Sequence, residues 1–168
     1  MDKNDNRSIV MAEIMTPDTA NFSGHVHGGH LMQLLDKVAY ACSARYAGRY
    51  VVTLSVDGIL FKKPIFVGEL VTFYASVNYV GTSSMEIGIR VIAENLMTRE
   101  QRHTNTCYFT MVAIDETGKS IALPPLEVRT QIEKYRFEEA KTRRQLRIDY
   151  QKLHQEHKLK IRQCPIQE

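Results

Sequence analysis

Asn21-Phe22-Ser23-Gly24-His25-Val26-His27-Gly28-Gly29-His30-Leu31-Met32-Gln33-Leu34-Leu35-Asp36 is a glycine-dense loop that runs straight into an amphipathic helix. From Leu31 the apolar residues fall at Leu31, Leu34, Leu35, Val38, Cys42 and Tyr46, which is helical spacing. The pattern continues to about Ala47, and Gly48 stops it. Asn21 precedes the helix, and Asp36 lies on it, off the apolar stripe. Gly28 and Gly29 stand where the first free backbone N–H groups of the helix fall. Without a Cβ they let another group approach the backbone closely. A helix end with bare donors attracts negative charge or a polarised carbonyl. One short segment therefore offers a carboxylate, a carboxamide and a donor-rich helix terminus.

What surrounds this segment reads as sheet. Residues 1–14 form a loose arm followed by an edge strand, with Ile9, Met11 and Ile14 as its apolar contribution. Met15-Thr16-Pro17-Asp18 is a turn signal. After the helix, Tyr50 to Phe61 sets Val52, Leu54 and Val56 against Thr53, Ser55 and Asp57, with Gly58 as a candidate bulge and Lys62-Lys63-Pro64 as its end. Glu69 to Tyr79 carries Val71, Phe73, Ala75 and Val77 on one face. Met85 to Glu94 carries Met85, Ile87, Ile89 and Val91, and His103 to Asp115 carries Cys107, Phe109, Met111 and Ala113. Gly81-Thr82-Ser83-Ser84 and Asp115-Glu116-Thr117-Gly118-Lys119 are turns. One central helix followed by consecutive antiparallel strands is an α+β pattern, a sheet with the helix packed on one face. Periodicity alone does not say which helix-on-sheet fold it is.

The motifs in register are more specific. The set Asn21, Gly24, Gly28, Gly29, Leu35 and Asp36 resembles the loop and helix of the hotdog-fold acyl-CoA thioesterases, in their acyl-CoA hydrolase branch. The resemblance continues through Ser55-Val56-Asp57, Phe61-Lys62-Lys63-Pro64, Val67-Gly68-Glu69 and Val80-Gly81-Thr82-Ser83-Ser84-Met85, from roughly Met15 to Pro125. His27 stands where relatives more often carry an aromatic such as Phe. The resemblance implies a hotdog fold, an antiparallel sheet wrapped around a central helix. It implies hydrolysis of acyl-coenzyme A to free acid and coenzyme A.

The same resemblance implies roles. Asp36 deprotonates a water or acts as a nucleophile that forms an anhydride. Asn21 binds the water or the thioester. Gly28 and Gly29 present backbone N–H to the thioester oxygen, as an oxyanion site does. Asn21 and Asp36 come from different subunits of a dimer, and hexamers built as trimers of dimers are the frequent next step. Gly81, Thr82, Ser83 and Ser84 meet the nucleotide end of coenzyme A, while His27 and His30, by their own place in the loop and first helical turn, are expected to line the pocket. Lys62 and Lys63 either pair with the coenzyme phosphates or stand as solvated edge charges. No cofactor is expected beyond the coenzyme carried by the substrate.

Other chemistries are weaker. His25, His27 and His30 are loosely spaced for zinc, with no cysteine or second carboxylate beside them, so no metal is expected. Ser83-Ser84 lacks the pattern around a nucleophilic serine. Two alternatives stay open. One is a hotdog hydratase or dehydratase with a catalytic His25 or His27. The other is a non-catalytic acyl-CoA sensor.

Composition sets the frame. The chain has 168 residues, 43% of them hydrophobic, enough for one sizeable core. A net charge of +3 is too small to argue for nucleic acid. No stretch approaches a membrane span, and Met1 to Arg7 is polar with no apolar run behind it, so a secretory signal is not expected. Three scattered cysteines, Cys42, Cys107 and Cys164, form no disulfide framework, and a cytoplasmic protein is expected. The division expected is a hotdog domain over 1–126 and a charged C-terminal helical extension over 127–168. Glu127 to Lys160 has no Gly or Pro and only sparse apolar residues, reading as a solvated helix with room for one break. Cys164 and Pro165 fall in an expected frayed end.

Overall fold

The computed structural model describes the backbone of residues 6–163 and the side chains of residues 6–159. Cys164 and Pro165 lie outside the described residues. Two compact units divide the chain, Met1–Glu127 and Val128–Glu168.

The first unit is one antiparallel sheet around one helix. Its strands are β1 (Ser8–Ile14), β2 (Val51–Val56), β3 (Leu70–Val80), β4 (Ser84–Glu94) and β5 (Gln101–Ala113), in the order β1-β3-β4-β5-β2. The helix α1 spans Gly28–Ala47. Leu31, Leu34, Leu35, Val38, Cys42 and Tyr46 are all buried, as the stripe predicts. Gly48 closes the helix in the left-handed region, at φ 61°, with its N–H on the Ala44 carbonyl. Val71, Phe73, Ala75 and Val77 from β3, Met85, Ile87, Ile89 and Val91 from β4, and Cys107, Phe109, Met111 and Ala113 from β5 share the core with the helix. This is the hotdog arrangement. Gly88 makes room locally: a Cβ there would lie 2.3 Å from the Asn78 amide nitrogen, so any side chain would force that amide to shift.

Strand β2 departs from expectation. It ends at Val56 and not near Phe61, and its bulge lies between Thr53 and Ser55 and not at Gly58. As an edge strand it is held by β5 alone, so the slip costs few hydrogen bonds, and it turns Leu54 outward to 66% exposure. Residues 57–64 leave the sheet and become one wall of the site described below.

The second unit is the helix α2, Gln131–Gln163, without a break. It starts later than Glu127 because a capping box forms at Thr130 and Glu133. Glu133 N–H donates to Thr130 Oγ1 at 3.3 Å, and Thr130 N–H donates to Glu133 Oε2 at 3.1 Å. Thr130-Gln131-Ile132-Glu133 is a legible start signal that marks the boundary better than charge density does.

Candidate active site

The loop before α1 is closed by Asn21 itself. Its side-chain oxygen accepts from Ser23 N–H at 2.8 Å and from His25 N–H at 3.2 Å, while its own N–H donates to the His25 carbonyl at 2.6 Å. Two backbone donors on the oxygen fix the orientation of the amide, since a flip would set NH2 against N–H. The amide nitrogen is therefore the atom Asn21 has to offer. Val26 N–H donates to the Ile65 carbonyl at 2.9 Å, and His27 N–H to Thr19 at 2.8 Å, so the loop is strapped on both sides.

The helix end is partly capped. His27 is the N-cap residue, and its Nδ1 accepts from Gly29 N–H at 2.9 Å. The Gly29 donor, expected at a substrate oxygen, is thus engaged inside the chain. His27, expected to line the pocket, is exposed and serves as the cap. Gly28 N–H has no hydrogen-bond partner among the described residues. Gly28 and Asn21 together line a cleft of about 400 Å³ whose other walls include Leu31, Phe61, Lys62, Lys63 and Ile65.

Asp36 lies elsewhere. It is exposed on α1, eight residues past Gly28, which is about 12 Å along the helix axis. Thr53 Oγ1 on β2 donates to Asp36 Oδ1 at 2.7 Å. The carboxylate is therefore oriented by the strand beside it. Thr53 is a residue the sequence does not single out, because a threonine on the polar side of a strand carries no signal of its own. The turn expected at the nucleotide falls at the same end of the sheet as the start of β2: Ser84 pairs with Val112, and Val112 with Val52. The Thr82 and Ser83 carbonyls there accept from Leu123 and Ala113, and Gly81 N–H donates to the Ser84 carbonyl. Lys62 and Lys63 stand with Asn21. The expected residues thus form two groups, one around the helix N-terminus and one around Asp36.

A clamp holds the first group. Arg102 on β5 donates twice to Glu69, at 2.6 Å each, and to the Pro64 carbonyl at 2.9 Å. The hydrogen bonds that Arg102 donates to Glu69 hold its proton more firmly than usual. Glu69 also accepts from Phe66 N–H at 2.9 Å, and the Phe66 ring lies 5.1 Å from the His25 ring. The segment carrying Lys62 and Lys63 is thereby fixed against the Asn21 loop.

The remaining candidates separate. His25 meets Phe66, His27 caps the helix, and His30 Nε2 lies 3.7 Å from Glu13. Among the described residues no group of three His, Cys, Asp or Glu could hold a metal ion. Burial pushes the Cys42 and Cys107 thiols up to about 12, which disfavours the thiolate that a nucleophile needs. No described helix is long and apolar enough to cross a membrane.

A family model described as the thioesterase superfamily matches residues 23–100. The protein VdlD of Helicobacter pylori is 52% identical over 88% of this chain and 84% of its own length. A solved apo-hexameric acyl-CoA thioesterase is 32% identical, with a TM-score of 0.82 over 85% of this chain and 92% of its own. The acyl-CoA hydrolase of Staphylococcus aureus, solved in complex with butyryl coenzyme A, coenzyme A and coenzyme A disulfide, is 28% identical with a TM-score of 0.84 over 93% of this chain and 95% of its own. It is also solved as alanine variants of one asparagine, one aspartate and one threonine. Their spacing along that chain is the spacing of Asn21, Asp36 and Thr53 along this one.

Proposed function

This chain belongs to the acyl-CoA thioester hydrolases of the thioesterase superfamily, and from that premise we propose that it cleaves acyl-coenzyme A into a free carboxylic acid and coenzyme A. The observation that carries the reading is the Asp36 carboxylate held by Thr53 at 2.7 Å, in a chain that also presents Asn21 and the free Gly28 N–H at one cleft.

Asp36 takes a proton from water as the oxygen adds to the thioester carbon. The carbonyl oxygen gains negative charge, and the Gly28 N–H and the Asn21 amide nitrogen donate to it. Collapse of the tetrahedral species breaks the C–S bond, and the leaving thiolate takes up the proton held by Asp36. A second route has Asp36 attack the carbonyl, expel the thiolate and leave a mixed anhydride for water to hydrolyse. Both routes need the same residues.

Within one chain Asp36 lies about 12 Å along the helix from Gly28, whereas a base must come within about 3 Å of the proton it takes. The working site therefore combines Asn21 and Gly28 of one subunit with Asp36 and Thr53 of another. Strand β2 is the edge nearest Asp36, and an exposed edge is a natural place for a second copy to pair. Two-fold pairing makes the contact reciprocal and yields two identical sites. Lys62 and Lys63 of one subunit and Gly81–Ser84 of the other then hold the coenzyme from two sides. A trimer of such dimers is the expected assembly. The buried free thiols Cys42 and Cys107 suit a reducing cytoplasm.

Thiol release from a panel of acyl-coenzyme A chains tests the reading. Release matched by acid formation is the expected result, and tight coenzyme A binding without release would make the protein a sensor instead. Asn21→Ala is expected to lower kcat more than it raises KM, because the amide acts at the reacting carbon; a change in KM alone would make Asn21 a binding residue. Thr53→Val is expected to lower kcat by roughly tenfold or more, the worth of one hydrogen bond to a charged group. Unchanged turnover in that variant would show that Asp36 is oriented without Thr53.

A further inference from the structure

The cleft beside Gly28 has a polar base that the hydrolytic chemistry above does not use. Asn105 lies on β5, two residues before Cys107 and four before Phe109, so it continues the row that faces α1. An apolar residue is the pattern there. The register shifts at this point, with Val91 opposite Asn105 and Ile92 opposite His103, and Thr104 is the extra residue of the bulge. The bulge lets two successive side chains turn inward, and Thr104 and Asn105 are each only 4% exposed. Both line the cleft, together with Val26, Leu31 and Ile65.

The Asn105 amide is incompletely used. Its side-chain oxygen accepts from Thr104 Oγ1 at 3.1 Å, a hydroxyl that also donates to the Val91 carbonyl at 3.3 Å. The amide nitrogen is buried and has no hydrogen-bond partner among the described residues. A buried donor left unpaired is costly, so a retained one calls for an acceptor. Lys62 and Lys63 are exposed at the rim of the same cleft, where charged phosphates can stay in water. The buried base is left to the acyl end of the substrate. A plain hydrocarbon chain at this base offers the donor no partner, whereas an acceptor oxygen does.

We propose that the base of this cleft is a subsite for acyl groups that carry an acceptor oxygen, hydroxyl or keto, beyond the thioester carbon, with the Asn105 amide nitrogen as the donor that recognises it. This rests on the hydrolase reading and narrows its substrate class. Asn105 is a specificity residue and takes no part in the bond-breaking step.

The test compares thiol release from 3-hydroxybutyryl-coenzyme A and butyryl-coenzyme A, in the wild-type protein and in Asn105→Leu. The expected wild-type kcat/KM favours the hydroxylated substrate by roughly tenfold or more. In Asn105→Leu the preference disappears or reverses, while butyryl turnover is kept or rises and the mass by light scattering is unchanged. A wild-type preference for butyryl overturns the proposal even if the variant fails to fold. So does an unchanged ratio in the variant. A uniform loss on both substrates overturns it too, because the amide would then bind the pantetheine arm common to both. Dissociation of the assembly in Asn105→Leu also overturns it, by making a second copy of the chain the amide's partner. If the wild-type protein releases thiol from neither substrate, the hydrolase reading itself has failed, which the other outcomes do not imply.

Discussion

Asp36→Ala is expected to lower turnover by about 10²–10⁴-fold, the usual contribution of a positioned general base. The fold is expected to persist. Asp36 is exposed, and its described partner is a single hydroxyl on an edge strand, so removing it opens no cavity in the core. Alanine is also the best helix former, which makes the substitution neutral for α1. The check pairs steady-state thiol release with circular dichroism and light scattering on the same sample. A folded Asp36→Ala protein with near wild-type kcat would remove the carboxylate from the mechanism, under either the water route or the anhydride route.

Arg102→Met is expected to destabilise the protein by about 3–5 kcal/mol, the cost of leaving one half of a buried ion pair alone. The Glu69 side chain is 5% exposed and the Arg102 side chain 16%, and together they join the start of β3, β5 and the Pro64–Phe66 turn. Methionine keeps much of the volume and removes the charge, leaving Glu69 facing a carbonyl and one backbone N–H. The measurement is the thermal midpoint at fixed protein concentration, since an assembled protein melts with concentration dependence. The double variant Arg102→Met, Glu69→Gln is expected to recover part of the loss, because the stranded charge is then gone. A midpoint shift of less than about one degree would mean that the pair is cancelled by desolvation and holds nothing in place.

The parts of this molecule legible in its sequence are those governed by local periodicity. Helix α1 was announced by its stripe and stopped by Gly48, and β3, β4 and β5 by alternation across a sheet with one buried face. Strand β2 is harder to bound, because alternation continues past Val56 into residues outside the paired strand; pairing on one side only lets the strand bulge at Leu54 and leave the sheet after Val56. Charge density places the start of α2 early, although Thr130 and Glu133 mark it. Asn21 and Asp36 could be named from a motif in register. Thr53 and Asn105 could not, since what marks them is a hydrogen bond made across the fold and one left unmade. The Gly29 donor shows the opposite limit: the sequence places it at the helix end, and only the structure shows that His27 already occupies it.

The proposed catalytic site is assembled from two chains. Its most direct test mixes two inactive proteins, Asn21→Ala and Asp36→Ala, under conditions where subunit exchange is verified by mass. A mixed dimer then holds one site with both substitutions and one with neither. Activity, negligible in either protein alone, is expected to return to a fraction of the wild-type value as exchange proceeds, approaching about a quarter when pairing is random between equal amounts of the two chains with reciprocal two-fold sites. Verified exchange with no return of activity would place each site within a single chain and contradict the two-chain site.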